Sequence, residues 1–369
     1  MIYFDYNATT PIDADVLEAM LPFLKVFYGN PSSLSRPGRI VHSAINTARE
    51  QVAALVDVAP SQVIFTSGGT EANNMALASL PLQAKLAISG IEHPSISEPA
   101  LRLKDSGTPL DLISVDQSGV ITPLALNEAI KNKPNMVSIM LANNETGVIQ
   151  DIASLTQTLK ENNITVHTDA VQALGKIPVS FRQLGVDLMS LSSHKIYGPK
   201  GCGALIFDKN TPIRPILLGG GQEQNLRAGT ENVAAIVGFG KAAELAKNEL
   251  SKRHDHLASL KKILEAGLMS IPDLTIFARH AMRLPNTTQF GILGIDGEML
   301  LMKLDKKGFA VSSGSACASG SESFSPVLRA MKIEETLAKS AIRISLGIHN
   351  TKQEIIEFID QLKILVNQL

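Results

Sequence analysis

Two residues in this chain of 369 carry reactive groups in settings that a packed core would not supply. Lys195 stands in Ser192-Ser193-His194-Lys195-Ile196-Tyr197-Gly198-Pro199-Lys200-Gly201, where a strand-like run meets a Gly-Pro turn. An amine flanked by small, aromatic and turn-forming residues is placed to form a Schiff base with an aldehyde cofactor. Burial near another cation would lower its pKa and make it nucleophilic; a structural salt bridge is the plainer alternative, and Lys200 is the more exposed neighbour. Cys317 stands in Ser312-Ser313-Gly314-Ser315-Ala316-Cys317, with Ser319 and Ser321 following. Structural cysteines usually lie among hydrophobes, so a thiol in small polar company reads as reactive. Cys202, between two glycines, reads as a packing residue. Lysine and thiol together point to a pyridoxal phosphate enzyme that passes an atom or group from its substrate to its own sulfur.

Other segments could complete such a site. Val63-Ile64-Phe65-Thr66-Ser67-Gly68-Gly69-Thr70-Glu71-Ala72-Asn73 reads as strand, glycine turn and helix start, so that backbone N–H groups around Gly69 and Thr70 could hold a phosphate. It matches neither GxGxxG nor a Walker A loop, and a plain turn with Thr70 as cap is the alternative. Asp169 and Gln172 fall at another strand end. The carboxylate could pair with a protonated pyridine nitrogen, and the amide could meet the ring hydroxyl; otherwise Asp169 caps the next helix. His93, before Pro94, could stack on a flat cofactor and move a proton, or be structural. Arg343, one charge in an apolar strand-like run, suits bidentate capture of a carboxylate, or a strand-end ion pair. His254 and His256, among Lys and Asp, read as a solvated helix face.

The elements that must position these residues follow from period and punctuation. Strand candidates at 63–65, 86–89, 112–115, 136–141, 165–168, 188–191 and 203–207 alternate with helical stretches at 71–80, 100–104 and 152–161. That rhythm predicts an α/β fold with a mostly parallel sheet covered on both faces, and ligands at the strands' carboxyl ends. A glycine cluster at 219–221 precedes one long helical stretch, 233–268. The remainder, with strands near 286–290, 310–312 and 341–345 and helices at 297–306 and 352–366, reads as a smaller α+β C-terminal domain. The expected division is 15–250 for the large domain, and 1–14 with 251–369 for the small one, which carries the cysteine loop 312–325. That loop's small polar residues offer few anchors, so ordering it should cost more than its contacts return.

With 44% hydrophobic and 19% charged residues and a net charge of −1, the composition is that of a globular protein with no electrostatic case for binding nucleic acid or an anionic membrane directly. No signal peptide or membrane span is legible. Two cysteines exclude a disulfide framework and suggest a reducing cytoplasm, and no Cys/His cluster has zinc spacing, so no metal is expected.

In combination and in order, these segments resemble the cysteine desulfurases, pyridoxal phosphate enzymes of the class V aminotransferase family and fold type I. The resemblance runs from Asp5-Tyr6-Asn7-Ala8-Thr9-Thr10-Pro11 to Ser345-Leu346-Gly347. It includes Gly29-Asn30-Pro31-Ser32-Ser33, Asn143-Asn144-Glu145-Thr146-Gly147 and Arg227-Ala228-Gly229-Thr230, and the cysteine segment is similar to the group with the long loop. It implies a seven-stranded sheet and Lys195 as the Schiff-base lysine. Asp169 would face the pyridine nitrogen, Gln172 the ring oxygen and His93 the ring. Thr70, Ser192 and His194 would hold the phosphate, with Thr230 reaching it from the other subunit of a homodimer. Asn144 and Arg343 would bind the substrate carboxylate, with Asn30 nearby, and Cys317 would be the nucleophile. The implied reaction converts L-cysteine to L-alanine, leaving a persulfide on Cys317 for a sulfur-acceptor protein, such as a scaffold for iron–sulfur cluster assembly. An aminotransferase, a cysteine or cystine C–S lyase, and a non-catalytic scaffold are the rival readings. The chain departs from the family at Ser35, where a histidine is common, and at Gln224-Asn225. It also stops at Leu369, short of the C-terminal segment that helps dock the general iron–sulfur scaffold, so the acceptor is open.

Overall fold

The structure is a computed structural model and describes residues 1–313 and 324–368; Cys317 and most of its loop therefore lie outside the described residues. Twelve strands are present among them: β1 (Ile2–Tyr3), β2 (Val63–Thr66), β3 (Leu86–Ser89), β4 (Leu110–Ile113), β5 (Met136–Ser138), β6 (Thr165–Asp169), β7 (Leu188–Ser192), β8 (Gly203–Phe207), β9 (Leu274–Ile276), β10 (Thr287–Ile292), β11 (Phe309–Ala310) and β12 (Ile342–Ser345). β2 to β8 form one seven-stranded sheet in the order β2-β8-β7-β6-β5-β3-β4. All its pairings are parallel except those of β8, which runs against both β2 and β7.

Alternation along these strands sends side chains to two covers. Ile64, Leu86, Ile88, Leu188 and Leu205 meet Met75 and Leu77 of helix Gly69–Ala78 and Ile96 of helix Pro94–Asp105. Val63, Phe65, Ala87, Val166, Met189 and Ile206 join the opposite core, with Val41, Ile45 and Val52 of helix Arg36–Leu55, Leu159 of helix Ile152–Glu161 and Phe239 of helix Val233–Asn248. At 112–115 the strand lies two residues earlier than the apolar run suggests. β4 is an edge strand registered Leu86↔Leu110 on β3, and β3 ends at Ser89, so nothing continues the ladder beyond the bond from Gly90 N to Ile113 O.

The expected single helix at 233–268 is two, Val233–Asn248 and Leu250–Leu268, broken at Glu249. The second helix turns Leu257, Leu260, Leu264 and Leu268 into a separate core with Phe4, Phe290, Ile344 and Phe358. That core backs the antiparallel sheet β12-β10-β9. The N-terminus belongs to it as well, since β1 pairs in parallel with β11 and Asp5 bridges Ser345. The chain then crosses to the large sheet, where Thr10 N and Oγ1 both donate to the His194 carbonyl, at 3.1 and 3.0 Å.

Candidate active site

Sheet register gathers the site at one end of β2, β8, β7 and β6. Gly203, the first residue of β8, pairs with both Thr66 and Ser192, the last residues of β2 and β7. A Cβ at Gly203 would lie 2.6 Å from the Gly68 carbonyl carbon and 2.7 Å from Leu191 O, so only glycine lets the Ser67-Gly68 turn close against β7. One strand over, Asp169 pairs with Ser190.

Asp169 is 5% exposed. Its Oδ2 accepts from Asn73 Nδ2 at 2.7 Å and its Oδ1 from Val171 N at 2.9 Å. Both donors are neutral, and among the described residues no lysine, arginine or histidine forms an ion pair with it. A carboxylate taken out of water without a cation is costly, so this position fits the protonated nitrogen of a pyridine ring. Beside it, helix Gly69–Ala78 begins with Gly68 at the cap and no side-chain cap bond. Thr70 is thus in the first turn and not the cap. No atom lies within 4 Å of where a Gly68 Cβ would be, while one on Gly69 would meet Val171 and Ser192. An open helix N-terminus walled by Ser192 is a fitting anion cradle.

His93 takes the structural role and keeps its place at the site. It caps helix Pro94–Asp105, its Nδ1 accepting from Ser95 N at 3.1 Å. Burial lowers its pKa, the Asp169 charge opposes that, and Lys195 adds to it. His93 therefore lies within electrostatic reach of both Asp169 and Lys195. His194, with Nδ1 3.1 Å from Thr9 Oγ1, is brought down to about 4 by burial and the charges of Lys195, Lys200 and Lys176. The Lys195 amine donates to the carbonyls of Asn7 and Ala8, the latter at 2.8 Å. Gln172 Nε2 donates to the same Asn7 carbonyl at 3.0 Å.

Arg343, buried on β12, donates from Nη2 to Asp5 Oδ1 at 2.6 Å and from Nη1 to Asn144 O at 3.0 Å. Its Nε has no partner among the described residues, which leaves one buried donor for a carboxylate. Asn144 follows the turn fixed by Asn143, whose Oδ1 accepts from Glu145 N and Thr146 N, each at 2.9 Å. Asn30 is not brought to this group: it is exposed, and its Oδ1 accepts from Ser32 N at 2.9 Å. Thr230 is exposed in a cleft of about 200 Å³ that also involves Ser67, Cys202 and Arg227. Cys202 is buried, and burial pushes its thiol pKa up, as suits a packing residue.

The described ends of the cysteine loop are better held than its composition suggests. Ser312 bridges Arg343, with Arg343 N donating to Ser312 O at 2.6 Å. Ser325 Oγ donates to Glu145 Oε2 at 2.6 Å and caps helix Pro326–Ala330. His256 is also less solvated than expected, its Nε2 lying 3.1 Å from Asn350 O.

Three buried groups were not legible as site residues. Lys176 sits four residues after Gln172 and donates to Gln172 Oε1 at 2.8 Å. Asn7 stood out only as part of a longer motif. Glu92 accepts at Oε1 from Ser89 Oγ at 2.6 Å and Met140 N at 2.7 Å; burial, with Asp169 adding to it, raises its pKa to about 8. The one signal for Glu92 and Lys176 was a charge set among small and apolar neighbours.

A fold of this order, with a lysine turn and a cation-less carboxylate at the strand ends, defines a cofactor-dependent enzyme of the large-sheet, small-domain kind. The chain belongs to the aminotransferase class-V family, whose model matches residues 2–358. It is 43% identical over its whole length to cysteine desulfurase IscS of Dictyoglomus turgidum, covering 95% of that protein. A solved NifS-like protein superposes with a TM-score of 0.93 at 38% identity, each chain covered completely. The solved complex of SspA with cysteine gives 0.83 at 30% identity, covering 95% of this chain and all of the other. The architecture is that of pyridoxal phosphate enzymes of fold type I, as the resemblance implied.

Proposed function

We infer that the chain is a cysteine desulfurase with pyridoxal 5′-phosphate as cofactor, taking L-cysteine to L-alanine. The carrying observation is Asp169, a buried carboxylate without a cation, set at a strand end where its charge acts on His93, as the charge of Lys195 does. Asp169 would hold the ring nitrogen, His93 the ring face and Gln172 the ring oxygen. The first turn at Gly69 and Thr70, with Ser192 and His194, would hold the phosphate. When bound, the cofactor supplies an electron sink for the substrate α-carbon.

The chain's own residues do the rest. Arg343 Nε and Asn144 hold the substrate α-carboxylate. Lys195 would remove the α-proton and return protons to the carbon skeleton. The Cys317 thiolate attacks the substrate sulfur: a sulfur–sulfur bond forms, the carbon–sulfur bond breaks, and its electron pair stays with carbon, which is protonated to give alanine.

The core of Phe4, Leu257, Phe290, Ile344 and Phe358 supports a small unit over 1–14 and 251–369 beside a large one over 15–250, with Phe277, Leu284, Val327, Leu328 and Met331 of the small unit packed into the large-sheet core. Exposed Tyr28, Leu34 and Leu218, at 89, 90 and 86%, support a homodimer in which Thr230 serves the other subunit's phosphate. No helix among the described residues is long and apolar enough to cross a membrane; with two cysteines and no disulfide framework, we place the protein in the cytoplasm. A persulfide-accepting protein is the expected partner.

Purified protein incubated with cysteine should release alanine in step with sulfane sulfur. Borohydride should abolish the visible absorption and fix the label on Lys195. Protein that stays colourless with added pyridoxal phosphate refutes the assignment.

A further inference from the structure

We propose that Lys176 is a positioning residue that fixes the Gln172 amide so that its N–H₂ end, and not its carbonyl, faces the cofactor's ring oxygen; this rests on the reading of Gln172 given above. A glutamine can present either a donor or an acceptor, and only the donor stabilises an oxygen bearing negative charge. The choice here is made from behind. Lys176 is 6% exposed and lies one helical turn's spacing beyond Gln172. Its Nζ donates to Gln172 Oε1 at 2.8 Å and to Asn7 Oδ1 at 3.2 Å.

Asn7 cannot turn its own amide round to compete, because its ends are fixed separately. Asn7 Nδ2 donates to Thr287 Oγ1 at 2.9 Å and Asn144 O at 3.1 Å, and its Oδ1 also accepts from Asn286 Nδ2 at 3.0 Å. Two acceptors therefore converge on the lysine, and two N–H bonds satisfy them whether the amine is neutral or charged. With Oε1 so held, Gln172 Nε2 points the other way. One of its hydrogens goes to the Asn7 carbonyl at 3.0 Å, leaving the second for the ring oxygen.

No carboxylate forms an ion pair with Lys176 among the described residues. The charges felt there are those of Lys195 and Arg343, and Arg253 lines the same small cavity. Such surroundings are a poor place for a lysine kept only for stability. An amine survives there because it is needed as a donor.

The test reads the pH at which the visible absorption of the holoenzyme titrates, a property of the bound cofactor separate from turnover. A donor to the ring oxygen lowers that midpoint, so Gln172→Met should raise it, by about one pH unit for one lost hydrogen bond to a charged group. Lys176→Met should raise it comparably in the native background and add nothing in a Gln172→Met background, as expected if it acts only through that amide. Lys176→Gln, which can again donate to Oε1, should restore most of the native midpoint and also serves if the methionine variant does not fold. An equal Lys176→Met effect in both backgrounds, or none in the native one, overturns the proposal while leaving Gln172 in place. A Gln172→Met midpoint equal to the native one instead removes the reading of Gln172 on which it rests.

Discussion

Glu92→Gln tests whether the site floor carries one negative charge or two. Glu92 precedes His93, and its carboxyl is buried; Oε1 accepts two hydrogen bonds, while Oε2 has no partner among the described residues. Burial first and Asp169 second raise its pKa from 4.5 to about 8. At neutral pH it is therefore held neutral, and Asp169 is left as the charge available to the cofactor. The folded state keeps a proton that the unfolded chain has released. The associated stability is present in full below pH 4.5 and is lost as pH rises towards 8. At about 1.4 kcal/mol per pH unit, the span amounts to roughly 5 kcal/mol. Glutamine matches the carboxyl in shape and does not titrate, so any fixed cost of the exchange drops out of the slope. Urea unfolding of both proteins at pH 5, 6, 7 and 8, at one cofactor concentration, gives the comparison. Native stability relative to the variant should fall by about 4 kcal/mol across that range. A constant difference would mean that Glu92 is ionised throughout and that the site floor holds two charges.

Other substitutions address the remaining assignments. Arg343→Ala should raise KM for cysteine at least about thirtyfold, the equivalent of roughly 2 kcal/mol for a lost buried charge pair; a near-native KM would place the carboxylate elsewhere. Cys317→Ser should abolish alanine formation yet leave the visible absorption intact, whereas loss of activity in Cys202→Ser would show that the wrong thiol was named. If Thr230 completes the other subunit's phosphate site, dilution to monomer should release cofactor, and Thr230→Ala should lower cofactor affinity; a monomer that retains cofactor refutes this.

Local signals were enough for much of this chain. The helices Ile152–Glu161, Gly297–Lys306 and Lys352–Val366 follow from apolar period and caps such as Asp151, Asp296 and Thr351, and strand ends at Asp169 and Ser192 follow from where apolar runs stop. Those are properties of a few consecutive residues, and so were the candidate roles of Lys195, Asp169 and His93. Strand order was not local: that β8 runs antiparallel between β2 and β7 depends on pairings 11 to 143 residues apart, as between Ser192 and Gly203 or Val63 and Ile206. Only that order makes Gly203 the contact between the Ser67-Gly68 turn and the strand that leads to Lys195.

The same limit explains the polar residues the sequence left unread. Asp5 meets Arg343 across 338 positions, and Lys176 meets Asn7 across 169, so no window of sequence contains both partners. By itself the sequence determined which residues could react, because reactivity is a property of the side chain and its immediate neighbours. Tertiary structure decided which of them share a charge, a donor or a proton, because burial and distance are set by how the three-stranded sheet, the N-terminal segment and the large sheet close on one another.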